Sequence, residues 1–367
     1  MSQYIMVIIW LGILFLISQI FNVYQREYIY GRKVFRVNWL FAFLAVLPLV
    51  YWASVRTGAF FDTNAYIDMF KGMPEHLEEI GTYMASVEKD KGFYFLSALL
   101  RVLIGDKARF YLFIVALFQA LCLTYIFRKY SSNFFISLFI FIASTDYLSW
   151  MHNGIRQFAA VALIFAATDL MIKKKYISML VIILVASTLH GSALLMIPVI
   201  FIAQGRPWNK KTFMAVGGFI IAILFVDKFT NILGILLEET QYVNVISDWE
   251  SWNDDGTNPI RVLIYAIPTV LSIIGLKYIE DENDPVINLS CNMSIISSLL
   301  YFLSAVTSGI FIGRLPIYCS LYSMCILLPW EIEHMFTERS AHIIKVIMIG
   351  CFLLFYYFQI HFAWGLI

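Results

Sequence analysis

Residues 176–203 read YISMLVIILVASTLHGSALLMIPVIFIA, an apolar run broken at His190-Gly191. A membrane helix needs about 20 apolar residues, so the run is too long for one crossing and too short for two full ones. Lys173-Lys174-Lys175 precede it, and Arg206, Lys210 and Lys211 follow. Short loops rich in Lys and Arg stay on the cytoplasmic side of a membrane. With both ends inside, the chain must go out and come back. The run is therefore predicted to be a hairpin of two short helices, with His190-Gly191 at its outward tip. Non-helical backbone at that depth is tolerated only where it is buried in protein or lines a wet cavity.

The rest of the chain follows the same logic. Its 367 residues are 60% hydrophobic and 14% charged, whereas soluble domains carry about 25% charged residues. That is too little charge to cover a soluble surface, so the surface faces lipid. Further apolar runs occur at 3–24, 38–54, 110–127, 134–151, 157–172, 212–229, 260–277, 286–305, 310–329 and 343–363. The expected fold is an all-α, polytopic integral membrane protein with roughly ten to twelve transmembrane helices. It forms a single transmembrane domain over 1–367. The basic loop 25–36 and Arg128-Lys129 fall inside with the two clusters above, which puts both termini outside. Two long outer loops result, 55–109 and 230–259. The first contains the short segment 92–104, read as interfacial or re-entrant. The N-terminus lacks a basic region and a cleavage site, so its apolar run reads as a retained span.

Composition also excludes functions. Net charge is +1, giving no signal for nucleic acid. The five cysteines lie in apolar stretches without CxxC spacing and read as core residues, not as a metal site. No P-loop, GxSxG, HExxH or dinucleotide-binding glycine pattern occurs. No cofactor is expected.

Chemistry is sought in polar residues that a membrane should exclude. Arg56, Arg101, Arg156, Arg261 and Arg314 stand beside apolar runs on the outer side. Arg156 lies in Trp150-Met-His-Asn-Gly-Ile-Arg156-Gln157, at the start of a helix, where free backbone N–H groups and a guanidinium both attract an anion. Arg314 lies in Ile312-Gly-Arg314-Leu-Pro316, where glycine and proline open the turn. Arginines so placed also snorkel to lipid phosphate or pair with Asp62 or Asp146. His190 is either a satisfied core residue or a general base, with His152 able to share that role. Asp62 opens Asp62-Thr-Asn-Ala-Tyr66, as a helix cap or a catalytic carboxylate. Arginines suit a diphosphate and aromatics suit sugar rings. Together they suggest a lipid-linked sugar.

At these residues the sequence resembles the EpsG family, Wzy-like polymerases of bacterial exopolysaccharide, capsule and O-antigen. The resemblance runs through Asp62-Thr-x-x-Tyr66, Gly92-Phe93-Tyr94 and Asn153-Gly-Ile-Arg156-Gln157. It continues through the Lys/Tyr-rich turn 173–176, His190-Gly-Ser192-Ala193 and Gly313-Arg314-Leu-x-x-Tyr318. Where the family has Glu-x-Gly-Phe, this chain has Asp90-Lys91-Gly92-Phe93. The resemblance implies a GT-C-like fold, and polymerisation of undecaprenyl-diphosphate-linked repeat units on the outer face of the bacterial plasma membrane, without a metal. Arg156 and Arg314 would then hold the departing diphosphate, and His190 or Asp62 would activate the acceptor hydroxyl. Tyr66, Tyr318 and Trp150 would be sugar platforms, with His152, Gln157 and Arg101 in further contact with substrate. Membrane lipid, a flippase and a chain-length regulator would be its partners. The alternatives are a flippase or exporter of lipid-linked sugars, a polytopic acyltransferase acting on surface glycans, and a structural scaffold.

Overall fold

A computed structural model describes residues 3–58, 60, 62–226 and 256–366. The second outer loop expected at 230–259 lies outside the described residues except for its last four positions, as does the end of the run 212–229. The described chain is helical apart from one β-hairpin. It divides into two compact units, 1–168 with 184–193 and 338–367, and 169–183 with 194–337.

In the first unit, helix α1 (Gln3–Ile20) leads into strands β1 (Tyr24–Ile29) and β2 (Arg32–Val37). Sequence reading gave this segment only as a basic loop. Tyr30 and Gly31 both have positive φ, 49° and 77°. That is the two-residue turn whose twist matches antiparallel strands. Basic residues conceal the hairpin because Arg128 is not a loop charge. Its side chain is buried, pairs with Glu27 of β1, donates to the Val37 carbonyl (2.6 Å) and lies 4.3 Å from the Trp39 ring.

Helix α2 (Trp39–Val55) is capped by Asn38, whose side chain accepts the Phe41 N–H at 2.8 Å. Next come three short helices, α3 (Thr63–Lys71), α4 (Leu77–Ser86) and α5 (Lys91–Ile104). The last coincides with the segment expected at 92–104. One face of α5 buries Phe93, Ser97, Ala98 and Arg101, while Phe95, Leu96 and Leu103 stay exposed. The long α6 (Ala108–Tyr130) packs against α2, α3, α5 and α9 (Ile155–Ala166). Between them, α7 (Phe134–Ala143) and α8 (Asp146–His152) meet at 73° across Ser144-Thr145, where Thr145 has φ 63°. Only Asn153-Gly154 then separate the end of α8 from the start of α9, which carries Arg156.

The chain enters the second unit through α10 (Thr168–Ile172) and the first part of α11 (Tyr176–Leu189), whose end, with His190, belongs to the first. A tight turn, Gly191–Leu195, leads to α12 (Met196–Ile202). The Tyr176 and Phe201 rings stack 5.1 Å apart, so the start of α11 meets the end of α12 and the two short helices form the expected hairpin. Helices α13 (Lys210–Leu224), α14 (Pro259–Ile274), α15 (Leu276–Glu282) and α16 (Pro285–Ala305) follow. The last two described elements are α17 (Ile312–His334) in this unit and α18 (Glu338–Ala363), which returns to the first. Asn209, Asn258 and Asp284 cap α13, α14 and α16. Helix α16 packs against α13, α14 and α17 and is buried along nearly its whole length. By contrast α18 exposes Ile343, Val346, Ile347 and Leu354, as a lipid-facing helix does.

Among the described residues five helices, α1, α6, α16, α17 and α18, are long and apolar enough to cross a bilayer, and seven if each bent pair counts as one span. The protein is an all-α polytopic membrane protein. The larger expected number of spans counted short apolar helices such as α2, α9, α11 and α12, which do not reach that length.

Candidate functional site

The motifs of the first unit converge on two residues, Asn153 and Asp90. Asn153 ends α8. Its Oδ1 accepts the Asp62 N–H at 3.1 Å, and its carbonyl accepts the Tyr66 hydroxyl at 2.7 Å. Thus α3 is tied to the turn that carries Arg156. Asp62 occupies the cap position of α3, but its side chain makes no capping hydrogen bond and is exposed. The capping expectation for Asp62 is corrected here: the anchor is its backbone, and its carboxylate is left outward.

Asp90 stands before α5 with φ 52°, in the left-handed region. Asp and Asn tolerate that region better than longer side chains, which accounts for aspartate where the family has glutamate. Its Oδ2 accepts from Arg156 Nη1 at 2.8 Å, and its Oδ1 from the Gly191 N–H at 3.3 Å. One carboxylate thereby joins the starts of α5 and α9 to the break after α11. The anion expected at the start of α9 is supplied in this structure by the chain itself. Burial pushes the Asp90 carboxyl above its usual range, against the opposing pull of Arg156 and the Gly191 amide. The close approach of α5 to α11 requires Gly92. A Cβ there would lie 2.1 Å from Thr188 Oγ1 and 3.1 Å from the Thr188 backbone carbon.

Arg156 also lies 5.7 Å from the Tyr94 ring. Its side chain remains 33% exposed, against 6% for Asp90. The guanidinium is therefore fixed on one side and open on the other.

At the break, Ser192 donates its N–H (3.3 Å) to His190 Nδ1, with Ser192 Oγ 2.7 Å from the same nitrogen. Gln157 Nε2 donates to that Oγ at 3.3 Å. Nδ1 is then an acceptor, so the neutral imidazole carries its proton on Nε2. His190 thus stands at the break with its Nδ1 engaged by Ser192.

The remaining predicted site residues lie elsewhere. His152 is 0% exposed, with Nδ1 2.7 Å from the Leu148 carbonyl and its ring against Trp52 and Phe60. It belongs to the packed core, not to the open face of Arg156. Arg101 is held by Glu75 (2.5 Å) and Asp106 (3.2 Å). Arg56 is buried and donates to Thr63, Ala53 and His152. Trp150 is half-buried beside Tyr147. Tyr66 is buried and used through its hydroxyl, so it offers no open ring face. In the second unit Arg314 is exposed on the turn Ile312–Arg314. A Cβ on the neighbouring Gly313 would lie 2.5 Å from Thr257 Oγ1. Tyr318 is 2% exposed and is a core residue of that unit, not a platform.

Sequence reasoning gave no role to Asp90, Asn153, Tyr94 or Ser192. All four stand inside or beside the motifs quoted above, and only their convergence in space marks them. No group of three or more His, Cys, Asp or Glu able to hold a metal occurs among the described residues.

No curated protein and no solved structure matches the chain. The EpsG family profile matches residues 39–364, from the start of α2 to the end of α18 and across every motif of this site. The chain thus belongs to the EpsG family, with a polysaccharide polymerase type of role.

Proposed function

We propose that the protein joins undecaprenyl-diphosphate-linked oligosaccharide repeat units on the outer face of the bacterial plasma membrane. In this reaction the bond from the sugar anomeric carbon to the carrier diphosphate breaks. A new bond forms from that carbon to a hydroxyl of the incoming unit, whose proton passes to a base. The lipid diphosphate leaves as an anion.

One observation carries this reading. The Arg156 guanidinium is held by Asp90 on one side yet open on its other. A donor held rigid before charge develops stabilises a leaving diphosphate without reorganising. His190 would orient or activate a hydroxyl of the acceptor. Asp62, exposed one turn before Tyr66, is the base this arrangement favours. Trp150 is left as a sugar contact. Arg314, exposed in its own unit, would bind an anionic part of the lipid-linked glycan. A flippase and a chain-length regulator would act beside the protein.

The test uses a strain lacking the gene, complemented with wild type or Arg156→Ala, and gel profiles of its lipid-linked glycans. Wild type should restore a ladder. Arg156→Ala should leave single-repeat species, with the protein still in the membrane. If single-repeat units fail to reach the outer face without the gene, the protein is a flippase and this reading is wrong.

A further inference from the structure

Glu331 lies within α17, in a unit where the mechanism above places no acid–base chemistry. It is 0% exposed, and neither carboxyl oxygen has a hydrogen-bond partner among the described residues. The surrounding cluster is apolar: Ile279, Ile287, Cys291, Leu327 and Trp330. An ionised carboxylate there would have neither solvent nor counter-ion.

A line of hydroxyls runs through the same helices. Helix α16 buries Ser290, Ser294, Ser297, Ser298 and Ser304 at helical spacing. From α14, the Thr269 hydroxyl lies 2.5 Å from Ser294 Oγ and 2.7 Å from Ser298 Oγ. Trp208, which packs against the apolar cluster, donates from Nε1 to Ser272 Oγ at 3.1 Å. Ser290, Ser297, Ser320 and Ser323 are buried with hydroxyls that have no partner among the described residues. Here α17 opens into a wide turn over Tyr322–Leu327. Pro329 has no N–H to give the carbonyl four residues before it, which favours such a turn.

Buried polar atoms in native proteins find partners, and where no side chain supplies them, ordered water does. We propose that α14, α16 and α17 enclose a hydrated seam of hydroxyls, and that Glu331 is a proton-binding site in exchange with it. The ligands are a proton and water. The inference is independent of the glycosyl-transfer reading, because it concerns residues to which that reading gives no role.

Infrared difference spectra of the purified protein in lipid nanodiscs test it. Wild type should show the carbonyl band of a protonated carboxylic acid, shifting in D₂O. Glu331→Gln should remove the band. Should Glu331→Gln fail to fold, Glu331→Asp keeps the acid and should move the band instead. Ser297→Val with Ser320→Val should slow the D₂O shift while leaving the band in place. A wild-type spectrum without a band assignable to residue 331 would show an ionised or absent proton site and overturn the proposal. A band that never shifts in D₂O would show a sealed carboxyl and overturn the seam.

Discussion

Asp90 and Glu331 are both buried acids in a membrane protein, and they solve the same problem in opposite ways. Asp90 keeps its charge near an arginine and a backbone amide and ties three segments together. Glu331 has no partner within reach among the described residues. Desolvating a charge is costly, and pairing repays that cost only with good geometry. A paired buried acid therefore positions its partner, whereas an unpaired one is a place to keep a proton. Burial rather than pairing dominates at Asp90, so even there the ion pair serves geometry more than stability.

Substitutions can break this contrast, and Arg156 should give the largest effect. Arg156→Ala is expected to lower glycan elongation on the order of 100- to 1,000-fold, as loss of a transition-state donor does. Arg156→Lys should not restore it, because a lysine lacks the planar fork that meets Asp90 and a diphosphate together. Rescue by lysine, measured as ladder length in the complemented strain, would reduce Arg156 to a simple positive charge.

Replacing each acid by an apolar side chain should split the pair. Asp90→Leu leaves Arg156 and the Gly191 N–H without their acceptor, costing about 1–3 kcal/mol, and adds strain at a left-handed backbone position. Glu331→Met removes a buried polar group and should leave stability unchanged or higher. Thermal unfolding in detergent reads both, and a drop for Glu331→Met would show that the carboxyl has a partner after all. Gly92→Ala should cost about 1–3 kcal/mol by overpacking against Thr188, read in the same melts.

His190 offers a finer test. His190→Gln can place an amide N–H near the Nε2 position, so it should retain more elongation than His190→Asn, by roughly tenfold. Equal loss in both would return His190 to the role of base.

The smallest effect concerns pH. With the folded-state pKa of Asp90 raised, the folded protein binds this proton more tightly than the unfolded chain does. Lowering pH from above the raised value toward the ordinary aspartate range therefore favours the folded state. In that window elongation should fall as Asp90 lets go of Arg156, while this group causes no loss of thermal stability. The acid limb should be missing in Asp90→Asn.

Much of this was legible in the sequence. Apolar run length and the Lys/Arg clusters determined a polytopic all-α membrane protein, because a bilayer imposes length and sidedness on each segment separately. The break at His190 and the short helix at 92–104 were readable for the same reason. The β-hairpin was not, since its strands carry Arg26, Arg32, Lys33 and Arg36, and only the burial of Arg128 against Glu27 explains it. Nor was Glu331, which lies beyond the apolar run ending at 329 but within a helix that continues to His334. Sequence by itself determined that this is a polytopic all-α membrane protein and which motifs carry charge. Tertiary structure alone decided that Asp90 meets Arg156 across sixty-six positions, that Ser192 engages His190 Nδ1, and that Glu331 has no partner among the described residues. Those outcomes depend on which side chains share one volume, and no local pattern encodes that.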